Sequence, residues 1–247
     1  MTPSFRLDGR RAVVTGAGRG IGLAAAAALA QAGAEVTLVA RTASEIKAAA
    51  KEIGNGAIAF TLDVSDISAV KAFFAERPAF HVLVNNAGTN RPMAMMDVAE
   101  DDYDAVLDLN VKSAFFVAQA VVHKMVAEGM PGSLIHISSQ MGHVGGPNRS
   151  LYCASKWAME GMNKAFALDL AGHSIRSNTI APTFIETPLT KPYLDDAAFK
   201  ASVLSKIKLG RIGQVEDLMG AILYLASDAS QLMTGTSMVI DGGWTAD

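Results

Sequence analysis

The chain has 247 residues, of which 50% are hydrophobic and 18% charged, and a chain this long and apolar can bury a sizeable core. Its net charge of −3 argues against a nucleic-acid partner, which would show a basic stripe or patch. The apolar runs are strand-sized and residues 1–11 lack an apolar core, so we expect no membrane span, no signal peptide and a cytoplasmic location. With one cysteine, Cys153, and no paired histidine spacing, no metal is expected.

Short apolar or β-branched runs alternate with helix-like segments along the chain. The predicted strands cover residues 12–15, 35–40, 58–62, 82–85, 134–138, 176–181 and 237–240. The predicted helices cover residues 21–32, 43–53, 67–76, 101–128, 152–171 and 215–226. Strands separated by such helices form right-handed crossovers in a parallel sheet. The pattern predicts the α/β class, with one doubly wound domain over residues 1–247 and a seven-stranded parallel sheet flanked by helices.

The alternation of strands and helices fails once, at residues 183–213. This segment contains Pro188, Pro192 and the pair Asp195-Asp196, and its hydrophobic periodicity is weak. Long irregular segments inside compact domains are usually binding loops, and this one follows a strand whose carboxyl end should face the ligand. We therefore predict a substrate-binding loop or lid. The alternative is a surface excursion of two short helices without a role.

The first predicted strand runs into a glycine-rich turn, and an alanine-rich helix follows. The turn reads Thr15-Gly16-Ala17-Gly18-Arg19-Gly20-Ile21-Gly22. Glycines let the backbone approach a pyrophosphate, which then sits at the positive N-terminal end of the helix. This context is typical of a Rossmann-type dinucleotide site. The alternative is a strand–helix turn with a structural role only.

The end of the second predicted strand bears on the choice of nicotinamide cofactor. An acidic residue there would bind the ribose hydroxyls and repel a 2′-phosphate, but the chain has Ala40-Arg41-Thr42. Arg41 and Arg19 supply two cations, and arginine pairs well with phosphate. The sequence therefore favours NADP(H). NAD(H) stays open, because Arg41 could pair with a carboxylate elsewhere while Arg19 is solvated.

Two further stretches fit a cofactor cleft, although either could be ordinary turn chemistry. Asp63-Val64 ends the third predicted strand, where a carboxylate could accept a hydrogen bond from an adenine amino group. Asn85-Asn86-Ala87-Gly88 ends the fourth, where small residues would let the ribose lie against the backbone.

A tyrosine and a lysine four residues apart open the fifth predicted helix. Tyr152 and Lys156 share one helix face, and a nearby cation lowers the pKa of a phenol towards neutral pH, where it can exchange a proton with an alcohol or carbonyl. Ser138 and Ser139 close the fifth predicted strand, and a serine hydroxyl there could hold the substrate oxygen. Asn110 lies inside a predicted helix, where asparagine is a poor helix former, so it is a candidate for positioning or hydration.

Together these motifs resemble those of the short-chain dehydrogenase/reductase family over essentially the whole chain. Thr15-Gly16-x-x-x-Gly20-x-Gly22, Asn85-Asn86-Ala87-Gly88 and Tyr152-x-x-x-Lys156 stand at the family's spacings. The resemblance implies hydride transfer between C4 of a nicotinamide ring and a carbonyl or alcohol carbon, with Tyr152 as proton donor or acceptor. It also implies that the chain forms homotetramers.

The resemblance further assigns roles to the other candidate residues. Ser139 becomes the catalytic serine, Lys156 holds the nicotinamide ribose, and Asn110 anchors a water that leads protons to bulk solvent. The cofactor-binding residues implied by the motifs and the resemblance are Gly16, Gly18, Arg19, Gly20, Ile21, Gly22, Arg41, Asp63, Val64, Asn86, Ala87, Gly88, Tyr152, Lys156, Pro182, Ile185 and Thr187.

One stretch departs from the family pattern. After the sixth strand the family typically shows Pro-Gly-x-x-x-Thr, and this chain has Pro182-Thr183-Phe184-Ile185-Glu186-Thr187. Thr187 is retained, and Ile185 can still meet the nicotinamide carboxamide. Losing the glycine makes the bend stiffer, so the conformation of this loop is in question.

The residues expected to edge the substrate pocket form a polar set. Arg91 and Arg149 could clamp a carboxylate, and asparagine or glutamine could bind hydroxyls. The Asn90-Arg91 step resembles that of sugar-acid and polyol members of the family, so we favour a sugar acid, a polyol or a keto derivative. The alternative is that both arginines pair with surface acids. The predicted substrate residues are Asn90, Arg91, Gln140, His143, Arg149 and Phe184, with Met141, Asn148 and Glu186 beside them.

Two other functions stay open. A 3-oxoacyl-acyl-carrier-protein reductase shares the core motifs but usually carries basic docking residues, and here only Lys124 and Arg176 lie near those positions. A non-catalytic NADP(H)-sensing protein could use the same fold, although it would not need all four candidate catalytic residues.

Overall fold

Seven strands are present in the computed structural model, which describes residues 2–246. They are β1 (Arg11–Thr15), β2 (Glu35–Ala40), β3 (Ile58–Thr61), β4 (Val82–Asn85), β5 (Gly132–Ile137), β6 (Ile175–Pro182) and β7 (Ser237–Ile240). They form one parallel sheet in the order β3-β2-β1-β4-β5-β6-β7, which confirms the predicted seven-stranded sheet. The order reverses between β1 and β4, and open α/β sheets bind ligands at the carboxyl ends of the strands at such a point.

Helices cover both faces of the sheet. They are α1 (Gly20–Gln31), α2 (Ala43–Ile53), α3 (Ile67–Ala75), α4 (Glu100–Leu107), α5 (Ala114–Ala127), α6 (Ser150–Leu170), α7 (Lys191–Leu194), α8 (Ala197–Leu204) and α9 (Glu216–Ala226). On one face Leu29 of α1 and Leu218 of α9 pack in a cluster with Val82 and Val84. On the other, Phe74 of α3 and Val121 of α5 pack with Leu83. Because β4 is buried on both sides, it is a continuous apolar run rather than an alternating one.

The helix predicted over residues 101–128 is interrupted in its middle by a π-helical turn. Asp108–Ser113 forms this turn between α4 and α5. The turn buries Asn110 completely, with 0% of its surface exposed. Turns of this kind occur frequently at functional sites. The unfavourable residue inside the predicted helix therefore marks a real irregularity in the backbone.

The same helical stretch has the length and composition of a membrane span. From Glu100 to Ala127 its mean hydropathy is 1.5 over an 18-residue window. In the fold, however, Val117, Val121 and Met125 pack with Phe74 of α3 in the core. The stretch is thus placed as a core helix packed on the parallel sheet.

The segment over residues 183–213 is built of two short helices with a small core of their own. Leu194, Val203, Ile207 and Ile212 are buried together there, against Phe184. The base of the segment is closed by hydrogen bonds from the Gly213 amide to the Phe184 carbonyl (3.0 Å) and from the Glu186 amide to the Gly213 carbonyl (2.8 Å). Periodicity is weak here because α7 has only four residues and α8 eight.

Candidate active site

The glycine turn packs closely against the loop after β4. A Cβ atom on Gly22 would lie 2.4 Å from the Gly16 carbonyl oxygen, and one on Gly16 would lie 2.9 Å from Asn86 Nδ2. Gly16 also has a φ of 63°, which favours glycine. Asn86 Nδ2 donates a hydrogen bond to the Thr15 carbonyl at 2.9 Å, so the two loops hold each other. Within the described residues, no side chain caps the N-terminus of α1, and Gly20 and Ile21 at this end of the helix line a cleft.

A cleft runs from this turn along the carboxyl end of β2. Of the residues predicted to hold the cofactor, those that line it are Gly16, Gly18, Arg19, Gly20, Ile21, Arg41, Val64, Asn86, Ala87, Gly88 and Thr187. Gly22 packs beneath the turn instead. Arg41 forms no ion pair within residues 2–246, whereas Arg19 Nη1 lies 3.7 Å from Glu45 Oε1. The predicted pair of cations therefore faces one end of the cleft.

Asp63 lies beside the cleft, which is lined by its neighbours Leu62 and Val64. Its carboxylate accepts hydrogen bonds from the Ser65 amide (3.0 Å) and the Ser65 hydroxyl (2.7 Å). Burial raises the pKa of Asp63, but these hydrogen bonds and the charge of Arg41 outweigh it and keep the pKa below its ordinary value. Its contact with an adenine ring stays a prediction.

A second pocket continues the cleft towards the carboxyl ends of β5 and β6. The predicted cofactor residues that line it are Ile21, Asn86, Gly88, Tyr152, Lys156, Pro182, Ile185 and Thr187. The hydroxyl oxygens of Ser138 and Thr183 are buried against it without a hydrogen-bond partner in the described part of the chain. Buried polar atoms left unpaired are costly, so this pocket fits a ligand that carries donors and acceptors, as a nicotinamide carboxamide does.

The bend after β6 needs no glycine. The non-glycine residues with positive φ in the described structure are Asn55, Asn148 and Ser174, so Thr183 takes an ordinary backbone conformation. Its amide donates to the Ile240 carbonyl at 3.2 Å. The departure from the family's Pro-Gly pattern therefore introduces no backbone strain.

Tyr152 and Lys156 lie in the first two turns of α6, with their side chains in the second pocket. Lys156 Nζ donates to the Ile137 carbonyl at 2.7 Å and lies 5.6 Å from the centre of the Tyr152 ring. Burial lowers the pKa of Lys156 to about 8, although Glu160 opposes it.

The pKa of Tyr152 does not shift in the direction expected from the neighbouring lysine. Burial raises it, and this outweighs the hydrogen bond with Ser139 and the positive charge of Arg149, which both lower it. Desolvation of the phenolate is the larger effect in the folded chain. The expectation of a lowered pKa is corrected, and at neutral pH the phenol is protonated.

Ser139, rather than Ser138, is the serine whose hydrogen bonding lowers the pKa of Tyr152, against the larger effect of burial. Its hydroxyl donates to Gln140 Oε1 at 2.9 Å and accepts from the Met141 amide at 3.1 Å, which caps a short 3-10 turn. The turn fixes the hydroxyl at the junction of the second pocket and a third one.

Asn110 ties the loop after β4 to α6. Its Oδ1 accepts from the Thr89 amide (2.8 Å), and its Nδ2 donates to the Thr89 carbonyl (2.9 Å) and to Ser155 Oγ (3.0 Å). Both side-chain hydrogens are thus used within the protein. The predicted water would have to bind its main chain or the second lone pair of Oδ1.

A third pocket opens beyond Tyr152 and Ser139. Of the predicted substrate residues it contains Asn90, Gln140, Arg149 and Phe184. Arg149 is only 8% exposed, and its guanidinium has no hydrogen bond or ion pair among residues 2–246. Burial lowers its pKa. Asn90 Oδ1 is also buried without a partner in that range. The pocket therefore presents an unneutralised cation and a free acceptor.

Two predicted substrate residues lie elsewhere. Arg91 Nη1 pairs with Asp102 Oδ1 at 2.7 Å on the surface, which realises the alternative of a surface ion pair. His143 Nε2 lies 2.9 Å from Ser237 Oγ and 3.6 Å from Glu160 Oε1, away from the pocket. Arg91 is therefore not placed for a clamp of two arginines, and a carboxylate contact of Arg149 stays a prediction.

Tyr193 of α7 is a pocket residue that sequence reasoning missed. It lines the third pocket, and the Arg149 guanidinium lies 6.0 Å from the centre of its ring. It belongs to the weakly periodic segment over residues 183–213, where no motif pointed to it.

Comparison with known proteins places this site in a family. The family model described as enoyl-(acyl carrier protein) reductase matches residues 16–245. D-erythrulose reductase of Gallus gallus is 36% identical over 244 residues, which cover 99% of each chain. The chain belongs to the short-chain dehydrogenase/reductase family. It is an NAD(P)-dependent oxidoreductase that acts on CH–OH groups and their carbonyl products.

Two more similarities show the range of the short-chain dehydrogenase/reductase relatives. The 3-oxoacyl-acyl-carrier-protein reductase of Thermotoga maritima is 38% identical over 246 residues, covering 97% of this chain and 99% of the relative. A solved structure of a gluconate 5-dehydrogenase from Burkholderia cenocepacia, in complex with NADP and tartrate, is 38% identical, with a TM-score of 0.94 over 98% of each chain.

Proposed function

We propose that the chain is an NADP(H)-dependent oxidoreductase of a small polyhydroxylated compound that carries a carboxylate, such as a sugar acid or its keto form. The observation that carries this proposal is the buried Arg149 guanidinium beside Tyr152, which has no acidic partner among residues 2–246. A buried cation without a partner is costly, and arginine binds a carboxylate in bidentate geometry. A substrate carboxylate would supply the missing charge.

The side chains of the second and third pockets have separate roles in the reaction. A bound nicotinamide supplies or accepts the hydride at C4. In the direction of reduction, Ser139 holds the carbonyl oxygen and Tyr152 donates its proton to that oxygen. The Lys156 ammonium stabilises the phenolate that is left and orients the ribose. Asn110 positions α6 and the loop after β4 relative to each other.

The names of relatives support both parts of the proposal. One relative is a D-erythrulose reductase, and one similar structure is a gluconate 5-dehydrogenase in complex with NADP and tartrate, a dicarboxylate. Arg19 and Arg41 in the first cleft favour a 2′-phosphate.

We further propose that residues 183–213 cover the substrate, and that the protein is a cytoplasmic homotetramer.

Reduction of a 3-oxoacyl group on acyl carrier protein is the second candidate, because a relative with that name is 38% identical. In this chain, the basic residues near the docking positions of such reductases already have partners within the fold. Arg176 donates to the Leu225 carbonyl at 2.7 Å and to the Met233 carbonyl at 3.2 Å, and Lys124 pairs with Glu128 at 3.4 Å. Turnover of an acetoacetyl thioester at rates above those for sugar acids would favour this candidate instead.

The substrate class is tested by the variant Arg149→Met. We expect the KM for sugar acids to rise about 10- to 100-fold, because a hydrogen bond to a charged group contributes about 1.5–3 kcal/mol. The KM for a neutral ketose or polyol should change by less than about threefold. Steady-state kinetics on matched acid and neutral substrates measure the two changes in KM. An effect that acts through Tyr152 would change both KM values alike, so it drops out of their ratio.

Arg91→Met is the matched control for this experiment, because Arg91 is paired with Asp102 outside the pocket. It should leave both KM values unchanged. An equal loss for acid and neutral substrates in Arg149→Met would contradict a carboxylate contact.

The cofactor preference is tested by the variant Arg41→Ala. We expect NADPH to bind the wild-type protein at least about tenfold more tightly than NADH. The variant should lose about 1.4 kcal/mol of this preference, since one phosphate contact is removed. Quenching of the fluorescence of the two tryptophans measures both affinities. Lys47→Ala, an exposed cation on α2 outside the cleft, should change neither affinity. Equal binding of NADH and NADPH by the wild type would contradict the assignment of Arg41.

A further inference from the structure

A carboxylate lies among the cations at the end of the first cleft beside β2 and α2. Glu45, in the first turn of α2, lines this cleft together with Arg19, Arg41 and Thr42. Its Oε1 is 3.7 Å from Arg19 Nη1. Its Oε2 is 3.3 Å from the place that a Cβ atom on Gly18 would take. The carboxylate therefore reaches from α2 across to the glycine turn.

The ion pair between Arg19 and Glu45 does little for stability. Their side chains are 64% and 42% exposed, and pairs this well solvated contribute about 0–1 kcal/mol. Its larger consequence concerns an anionic ligand in the cleft. Glu45 would repel a 2′-phosphate and would also compete with it for Arg19. Both effects weaken the binding of the phosphate. A 2′-hydroxyl meets neither effect.

We propose that Glu45 is a specificity-determining residue, whose carboxylate competes with the cofactor's 2′-phosphate for Arg19 and so limits the preference for NADP(H) over NAD(H). This inference rests on the proposed use of NADP(H). Arg41 keeps its guanidinium free of ion pairs within residues 2–246 and attracts the phosphate, while Glu45 holds back the contribution of Arg19. The preference for NADP(H) then depends on the attraction of Arg19 and Arg41 for the 2′-phosphate and on the opposing charge of Glu45.

The test uses two fragments of the cofactor that differ only in the 2′-phosphate, 2′,5′-ADP and 5′-AMP, with calorimetric titration of the wild type and of Glu45→Gln. We expect Glu45→Gln to bind 2′,5′-ADP about three- to tenfold more tightly and 5′-AMP within about twofold of the wild type. Glu52→Gln removes the same charge from an exposed position on the same helix outside the cleft, and should change neither affinity.

The route through Arg19 has its own readout. In an Arg19→Ala background, Glu45→Gln should gain less affinity for 2′,5′-ADP, because the competition is already gone. An unchanged ratio of the two affinities in Glu45→Gln overturns the inference. So does a ratio that rises only because 5′-AMP binds more weakly, since Glu45 would then be an acceptor for ribose hydroxyls.

The outcome for the proposed cofactor is read separately, from the wild type. If the wild type binds both fragments equally, the preference for NADP(H) fails, whatever Glu45→Gln does. If the wild type prefers 2′,5′-ADP and Glu45→Gln does not differ from it, only the inference about Glu45 fails.

Discussion

Replacing Tyr152 with phenylalanine is expected to lower kcat by about 10²- to 10⁴-fold, while NADPH affinity stays within about twofold. The phenol is the acid hydrogen-bonded to Ser139 at the junction of the second and third pockets. Phenylalanine keeps the ring that packs there and removes only the hydroxyl group with its transferable proton. Because burial raises the pKa of Tyr152, the phenol is protonated at neutral pH and can donate to a carbonyl without a prior step.

Two measurements separate chemistry from binding in this variant. Single-turnover reduction of a keto acid measures the chemical step, in which hydride and proton are transferred, and fluorescence quenching measures NADPH affinity. Tyr103→Phe is the matched control, because Tyr103 lies on α4 and is 52% exposed. Tyr152→Phe that turns over at more than about a tenth of the wild-type rate would mean that another group supplies the proton.

Acid is expected to destabilise the protein through His136. This histidine of β5 is fully buried, its Nδ1 lies 3.4 Å from Asn85 Nδ2, and its Nε2 has no partner in the described part of the chain. Burial, helped by the charge of Lys156, lowers its pKa to about 4. Since the folded-state pKa lies below the unfolded value of about 6.5, the unfolded chain binds the proton first. Stability is therefore full above pH 6.5 and falls by about 3 kcal/mol as the pH drops to 4.

Urea unfolding at fixed protein concentration, between pH 7.5 and pH 4, measures this slope. His136→Gln should flatten it, whatever its effect on stability at neutral pH, because the amide does not titrate. Burial also lowers the pKa of His81, so part of the slope should remain. His123→Gln, at an exposed position on α5, should leave the slope unchanged. An equal slope in His136→Gln would show that another group takes up the proton.

Several parts of the site follow from local sequence alone. The glycine turn is recognised by the strand before it and the helix after it, and each of these is predicted from a run of neighbouring residues. Tyr152 and Lys156 share a helix face because of their spacing. Since the carboxyl ends of parallel strands meet at one edge, the order of motifs along the chain also predicts that the turn, the Asn-Asn-Ala-Gly loop and the serines converge.

Other features depend on partners far away in the chain. Arg91 is neutralised on the surface by Asp102, whereas no acid among residues 2–246 pairs with Arg149. The fold thus decides which arginine is free for a substrate. His143 Nε2 lies within hydrogen-bond distance of Ser237 Oγ on β7. The π-helical turn that carries Asn110 is held by bonds to Thr89 and Ser155.

The sequence by itself determined the alternation of strands and helices, the glycine turn and the shared helix face of Tyr152 and Lys156, because each depends on residues a few positions apart. Only the tertiary structure decided the protonation of that tyrosine, since burial and a neighbouring cation oppose each other and burial is the larger. It also decided that Arg149 faces the pocket without a partner and that Glu45 reaches Arg19. Charge pairing and desolvation are set by what the fold brings together in space, which spacing along a chain does not specify.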